Sequence, residues 1–212
     1  MGKDFIKLIT VLLVDDNDLI LEGLEIFISS CSNDINIIGK CTSGEEALSF
    51  LSQQLVDVIL MDISMSGMDG IEATSQINKL FPKIKVLGLT IHSETAFVRR
   101  MLEAKATGYM IKSDKAELIV NAIRKTFYGD AYFSEEIVTM MLSEYSRKFS
   151  KKVFQEWMEK FTLLDAVDKK VLLLTITNVS REKMATILTL PVKTLKDKQT
   201  QLIRSFDLSV AC

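Results

Sequence analysis

Five short apolar runs recur through the first half of the chain: TVLLV (10–14), INIIGKC (35–41), DVILMDI (57–63), KVLGLTI (85–91) and GYMIK (108–112). Their length and their Val, Ile and Leu content make them strands. Several are apolar at every position, so both faces of the sheet must be covered. Helical patterns lie between them. Ile20, Leu21, Leu24, Phe27 and Ile28 form one apolar stripe. Ser43 followed by Glu46 predicts a capping box. Further helices are expected over 70–80, 93–106 and 115–128, with Pro82 just beyond the first of these. Strand and helix alternating five times predict an α/β fold built on a five-stranded, doubly wound parallel sheet.

After Gly129-Asp130 no strand pattern returns. SEEIVTMMLSEYSRKF (134–149) is an amphipathic helix opened by Ser134, and SKKVFQEWMEKF (150–161) either continues it or forms a second helix. Phe154 and Trp157 there are packing residues. From Thr162 onward a small all-α unit is expected, with helices over 164–175, 181–188 and 192–206. Asn178 stands where a turn between helices needs a positive φ. The expected organisation is therefore 1–128, a helical linker at 129–160, and 161–212. Charge follows the same division: the whole chain carries −2, but residues 1–128 carry −4 and residues 150–212 carry +4. An acidic front and a basic back suit different partners, and the basic end suits nucleic acid.

Other classes are disfavoured. No apolar run approaches the ~18 residues that span a membrane, and the N-terminus has no signal-peptide pattern. A cytoplasmic protein is expected. Cys31, Cys41 and Cys212 have no metal-ligand spacing and read as free thiols in a reducing compartment. A single histidine argues against a zinc site.

The first run ends in Asp15 and Asp16, and the third ends at Asp62. Ligands of open parallel sheets bind beyond the carboxyl ends of the strands. If the first and third strands are neighbours, three carboxylates converge, and such a group repels itself unless a cation joins it. An all-oxygen set favours Mg²⁺. The fourth run adds the hydroxyl of Thr90 and the fifth the ammonium of Lys112. Asp62 can then act as a nucleophile towards phosphorus. Lys112 and Mg²⁺ can neutralise the transferring group, and Thr90 can hydrogen-bond one of its oxygens. This constellation serves phosphorylation of the protein itself rather than turnover of a separate substrate, so no independent enzyme is expected.

LLVDDN, LMDISMSGMDGIEA, LTIHSE and GYMIK together resemble the signature of a bacterial two-component receiver domain, a flavodoxin-like fold, over about residues 7–128. The resemblance implies autocatalysed phosphoryl transfer from a histidine kinase, with Asp62 as acceptor. It implies a Mg²⁺ site formed by Asp15, Asp16, Asp62 and Ser64. It makes Thr90 and Lys112 the phosphate-sensing pair and Tyr109 the rotating aromatic. Ser64 and His92 occupy the two positions that tune phosphoryl lifetime in receivers, and His92 is expected to act on dephosphorylation near neutral pH. Ser66 replaces a frequent proline, which loosens the loop after the acceptor.

The segment 168–208 resembles, without gaps, the helix-turn-helix of NarL/FixJ (LuxR-type) regulators. The resemblance implies a core of Val171, Leu172, Leu174, Val179, Met184, Ala185, Leu188, Leu190, Leu195, Leu202 and Phe206. It also implies a scaffold helix capped by Ser180. The recognition helix, 192–206, would enter the major groove. Its polar residues Lys193, Thr194, Lys196, Asp197, Lys198, Gln201 and Arg204 are the candidate DNA contacts. The lysines suit phosphates. Lys193, Asp197 and Gln201 share a face, and Gln can read adenine. Thr177-Asn178-Val179 replaces the usual glycine-containing turn, and Pro191 replaces the usual capping hydroxyl. Asp197 adds a negative charge to the DNA-facing side. The implied protein is a transcriptional response regulator that binds promoter DNA as a homodimer. Two other readings remain open: a C-terminal unit that binds a protein, and a DNA binder independent of phosphorylation.

Overall fold

The computed structural model describes residues 8–91, 94–112, 115–145 and 151–208. Five strands, β1 (Ile9–Val14), β2 (Ile35–Cys41), β3 (Val58–Asp62), β4 (Lys85–Thr90) and β5 (Gly108–Ile111), form one parallel sheet in the order β2-β1-β3-β4-β5. Every residue of β3 and β5 is buried, as continuous apolar runs require. The crossovers are α1 (Asp18–Cys31), α2 (Gly44–Gln53), α3 (Gly70–Leu80) and α4 (Thr95–Glu103), and α5 (Ala116–Phe127) follows β5. They cover the sheet on two sides and create two cores. One core gathers Ile9, Val11, Leu13 and Leu60 with Leu24 and Ile123, and the other gathers Leu12, Val14, Ile59 and Met61 with Ala73 and Met101. Alternate residues of each strand thus serve opposite layers.

Local chemistry sets the helix starts. Asn17, Ser43 and Asp69 accept backbone N–H bonds at the N-caps of α1, α2 and α3. In the predicted capping box Ser43 accepts from the Glu46 N–H at 3.1 Å. Glu46 reaches back to the N–H and hydroxyl of Thr42, one residue before the cap.

The remaining helices are α6 (Glu135–Tyr145), α7 (Lys151–Leu163), α8 (Ala166–Ile176), α9 (Arg181–Leu188) and α10 (Val192–Ser205). Before α6 the chain runs along the open edge of β5. Tyr109 N–H donates to the Tyr132 carbonyl at 2.8 Å, and Ser134 N–H donates to the Tyr109 carbonyl at 3.2 Å. This short ladder supplies partners for an edge that would otherwise be unpaired. Ser134 does precede α6, but its hydroxyl is buried without a partner. Of the segment 150–161, residues 151–161 belong to a separate helix, α7, and residue 150 lies outside the described residues. Trp157 packs edge-on against Phe206 with ring centroids 6.1 Å apart, and Lys160 donates to the Ser205 carbonyl at 2.9 Å. α7 therefore secures the C-terminal end of α10.

α8 is buried at Lys169 and at every position from 171 to 176. A helix apolar on all sides needs neighbours on all sides. α8 packs against α9 and α10 and also against α4 and α6. The expected core residues Val171, Leu172, Leu174, Val179, Met184, Leu195, Leu202 and Phe206 are buried, while Leu173 and Ile187 join them unforeseen. Ala185, Leu188 and Leu190 are half-buried. Ser180 caps α9 by accepting from the Lys183 N–H, and Asn178 takes φ 56°. Thr189 ends α9 at φ 55°. Across the contact between the two halves, Lys183 pairs with Glu103 at 2.8 Å and Lys169 with Asp130 at 3.3 Å. Cys31 and Cys41 are free thiols. Among the described residues no helix is long and apolar enough to cross a membrane.

Candidate functional site

Strand register builds the site. Val14 lies opposite Met61, so Asp15 and Asp62 leave neighbouring strands at the same level. Asp62 pairs with Leu89 and Thr90 with Ile111, so Thr90 and Lys112 follow one and two residues beyond that level at the same end of the sheet. Lys112 crosses the end of the sheet, with Nζ 2.5 Å from Asp15 Oδ2 and 2.9 Å from Asp62 Oδ2. Asp15 and Asp62 are buried while Asp16 is exposed. One carboxylate oxygen from each of Asp15, Asp16 and Asp62 lies within 4.8 Å of the others. Asp15, Asp16, Asp62, Thr90 and Lys112 thus lie at one end of the sheet.

The loop after Asp62 is fastened in four places. Ser64 N–H lies 3.4 Å from Asp62 Oδ1, although its side chain is exposed. Ser66 N–H donates to Asp16 Oδ2 at 3.2 Å, and Met68 N–H donates to Glu45 Oε1 at 3.2 Å. Gly70 N–H donates to the Ile63 carbonyl, and a Cβ at Gly70 would collide with the Asp62 carbonyl oxygen. Only glycine lets α3 begin this close to the acceptor strand. The loop expected to be loosened at Ser66 is therefore held by three carboxylates, Asp62, Asp16 and Glu45. Glu45 was not foreseen, because nothing local in the sequence ties α2 to this loop.

Electrostatics follow from burial. Burial raises the Asp62 carboxyl above the ordinary carboxylate value, Lys112 opposes the rise, and Asp15 adds to it. Burial also disfavours the Lys112 ammonium, but bonds to Asp15 and Asp62 outweigh it and the net shift is upward. Three carboxylates against one ammonium leave two negative charges around all-oxygen donors. That set fits a divalent, oxygen-preferring cation.

Thr90 and Tyr109 are both buried. Tyr109 lies opposite Gly88, and a Cβ there would press on the Tyr109 ring and on Met101 of α4. Burial pushes the phenol up, and the Thr90 hydroxyl partly offsets this. His92 lies outside the described residues.

In the C-terminal half, Lys193, Thr194, Lys196, Asp197, Gln201 and Arg204 are exposed along α10. Lys198 is turned towards the start of α8, with Nζ 2.6 Å from Asp168 and 3.7 Å from Asp165. Gln199 faces inward, accepting from Arg181 and donating to Thr175. Pro191 leaves α10 without a side-chain cap.

Comparison with known proteins agrees with this geometry. The response regulator receiver domain family matches residues 11–124. The response regulator protein VraR of Staphylococcus aureus (strain Mu3 / ATCC 700698) is 32% identical over 200 residues, covering 94% of this chain and 91% of VraR. The receiver domain of the putative response regulator NarL from Mycobacterium tuberculosis superposes with TM-score 0.56 at 30% identity, over 58% of this chain and 98% of that one. The Salmonella typhimurium RcsB response regulator, in a structure concerned with DNA interaction, has TM-score 0.61 at 18% identity, over 96% and 94% of the two chains. RcsB has also been solved as a complex with DNA. The likeness to RcsB concerns the fold across both halves.

Proposed function

The chain belongs to the response-regulator family, and from that premise we propose a transcription regulator whose DNA binding is switched by phosphorylation of Asp62. The observation that carries this reading is the convergence of Asp15, Asp16, Asp62 and Lys112 at the mouth of the sheet, with Lys112 within 2.9 Å of both buried carboxylates. Asp62 attacks the phosphorus of a histidine kinase's phosphoimidazole, and the imidazole leaves. Asp15, Asp16 and Asp62, with the chain at Ser64, would hold Mg²⁺. When bound, the cation supplies positive charge to the phosphoryl oxygens. Lys112 adds its own charge beside Asp62 and keeps the carboxylate oriented. Once Asp62 carries the phosphoryl group, the Thr90 hydroxyl turns to one of its oxygens. That movement reaches the buried Tyr109 ring and α4 beneath it.

The output lies on α10. Lys193, Lys196 and Arg204 suit backbone phosphates, and Gln201 with Thr194 suits base edges. Lys198 serves the fold instead, through Asp168. RcsB, which shares this two-part fold, has been seen with DNA. A pair of chains would read paired half-sites, and the kinase, the regulator and its promoters would meet in the cytoplasm. The protein acts on itself and not as an enzyme on other substrates.

The test is to mix the full chain, with and without a small phosphodonor and Mg²⁺, with fragmented DNA from its source and to sequence what is retained. Enrichment of a few promoters that strengthens with phosphodonor, and is lost in a Lys193→Ala/Lys196→Ala variant, is expected. No enrichment in either state would favour a protein partner for the C-terminal half.

A further inference from the structure

A cavity of about 250 Å³ lies between the two halves of the molecule. Three lysines line it: Lys85 at the start of β4, Lys105 in the turn before β5, and Lys170 on α8. No aspartate or glutamate lines it. This differs from the rest of the same contact, where Lys169 and Lys183 each have an acidic partner across the two halves. Among the described residues none of the three cavity lysines pairs with a carboxylate. Lys170 instead donates to the Ala106 carbonyl at 2.9 Å.

Two further observations single out this place. Burial, with the like charge of Lys85, brings the Lys170 ammonium down to about 8. A half-buried cation beside a like charge is costly unless an anion joins them. Lys105 has φ 66°, in the left-handed region that suits glycine. A lysine there costs about 1 kcal/mol of backbone strain, and its side chain is the one feature glycine would not supply. Leu102 and Ile187 give the cavity apolar walls beside the charged ones.

We propose that this cavity is a binding site for a phosphate dianion, free or as the head of a small monoester, held by Lys85 and Lys105 from one half and Lys170 from the other. Because the cations come from both halves, the anion binds only while the halves are packed together. By linkage it favours that arrangement. It is thus an input separate from Asp62, acting on the domain contact rather than on the acceptor.

The experiment is titration calorimetry of the full chain with inorganic phosphate and with glycerol 3-phosphate, in EDTA so that the acidic pocket holds no divalent cation. Wild type is expected to bind at least one of the two at a single site. Lys85→Gln and Lys105→Gln, which change a half-buried and an exposed side chain, are each expected to weaken binding at least fivefold, and Lys170→Gln more. Tighter binding of the monoester would identify it as the ligand class. Equal affinity would identify free phosphate. No heat from either ligand at millimolar concentration, or an affinity unchanged in Lys85→Gln and Lys105→Gln, would overturn the proposal.

Discussion

The two halves of this molecule present their candidate functional groups in opposite ways. At the mouth of the sheet the working groups are buried and interlocked: Asp15, Asp62 and Thr90 are 1%, 4% and 0% exposed, and one ammonium serves two carboxylates. Along α10 the proposed DNA contacts Lys193, Thr194, Lys196, Asp197, Gln201 and Arg204 are exposed. Buried charges must satisfy each other, so a substitution in the pocket changes stability and chemistry together. Exposed charges owe little to the fold, so a substitution on α10 changes binding and leaves the fold intact.

That contrast can be broken by mutation. The largest effect on stability is expected for Lys112→Ala, which leaves Asp15 and Asp62 buried without their cation. A loss of about 3 kcal/mol in denaturant unfolding is expected in EDTA, partly recovered by Mg²⁺. An unchanged midpoint would show that the pocket is not interlocked. Gly70→Ala comes next. Its Cβ meets the Asp62 carbonyl, so a loss of about 2 kcal/mol and a slower phosphorylation are expected, read by unfolding and by intact mass. On α10, Lys193→Ala/Lys196→Ala is expected to leave the melting temperature unchanged while weakening DNA binding about tenfold or more. It should also reduce the slope of log affinity against log salt by about 2. Lys198→Ala should do the reverse, leaving the salt slope unchanged and costing about 0.5 kcal/mol through its pair with Asp168.

The pH dependence of Asp62 sharpens the same point. Its carboxyl is raised in the folded chain, by burial first and by Asp15 in addition. A raised carboxyl favours folding while protonated, below its unfolded value near about 4, and costs stability as pH rises through the raised folded value. Without divalent cations, Asp62→Asn is therefore expected to melt higher than wild type at pH 7. The difference should vanish towards pH 4. Equal melting at both values would contradict the assigned burial cost.

The same distinction explains what the sequence revealed. An acid closing a wholly apolar strand, as Asp62 does, violates local expectation and so marks itself. Asp15, Thr90 and Lys112 were found because strand ends converge in a parallel sheet. Glu45 escaped notice because its role depends on how α2 meets the loop at Met68. The pairing of residues 132–134 with Tyr109 escaped for a related reason: it is made by backbone, which no side-chain pattern announces. On α10 the helix was legible from the sequence pattern, and its core from the helix-turn-helix resemblance. Lys198 was grouped with the DNA-facing lysines because its charge resembles theirs. Only packing shows that it faces Asp168. Lys170 belongs to the same class, a lysine whose surroundings come from a distant part of the chain.

The central claim is that the pocket exists to phosphorylate Asp62, and intact-mass spectrometry tests it most directly. Wild type, Asp62→Asn and Thr90→Ala are incubated with a small phosphodonor and Mg²⁺, then weighed. One phosphoryl group is expected on wild type and on Thr90→Ala, none on Asp62→Asn, and none on wild type when EDTA replaces Mg²⁺. A wild type that gains no mass, or an Asp62→Asn variant that gains as much, would contradict the account.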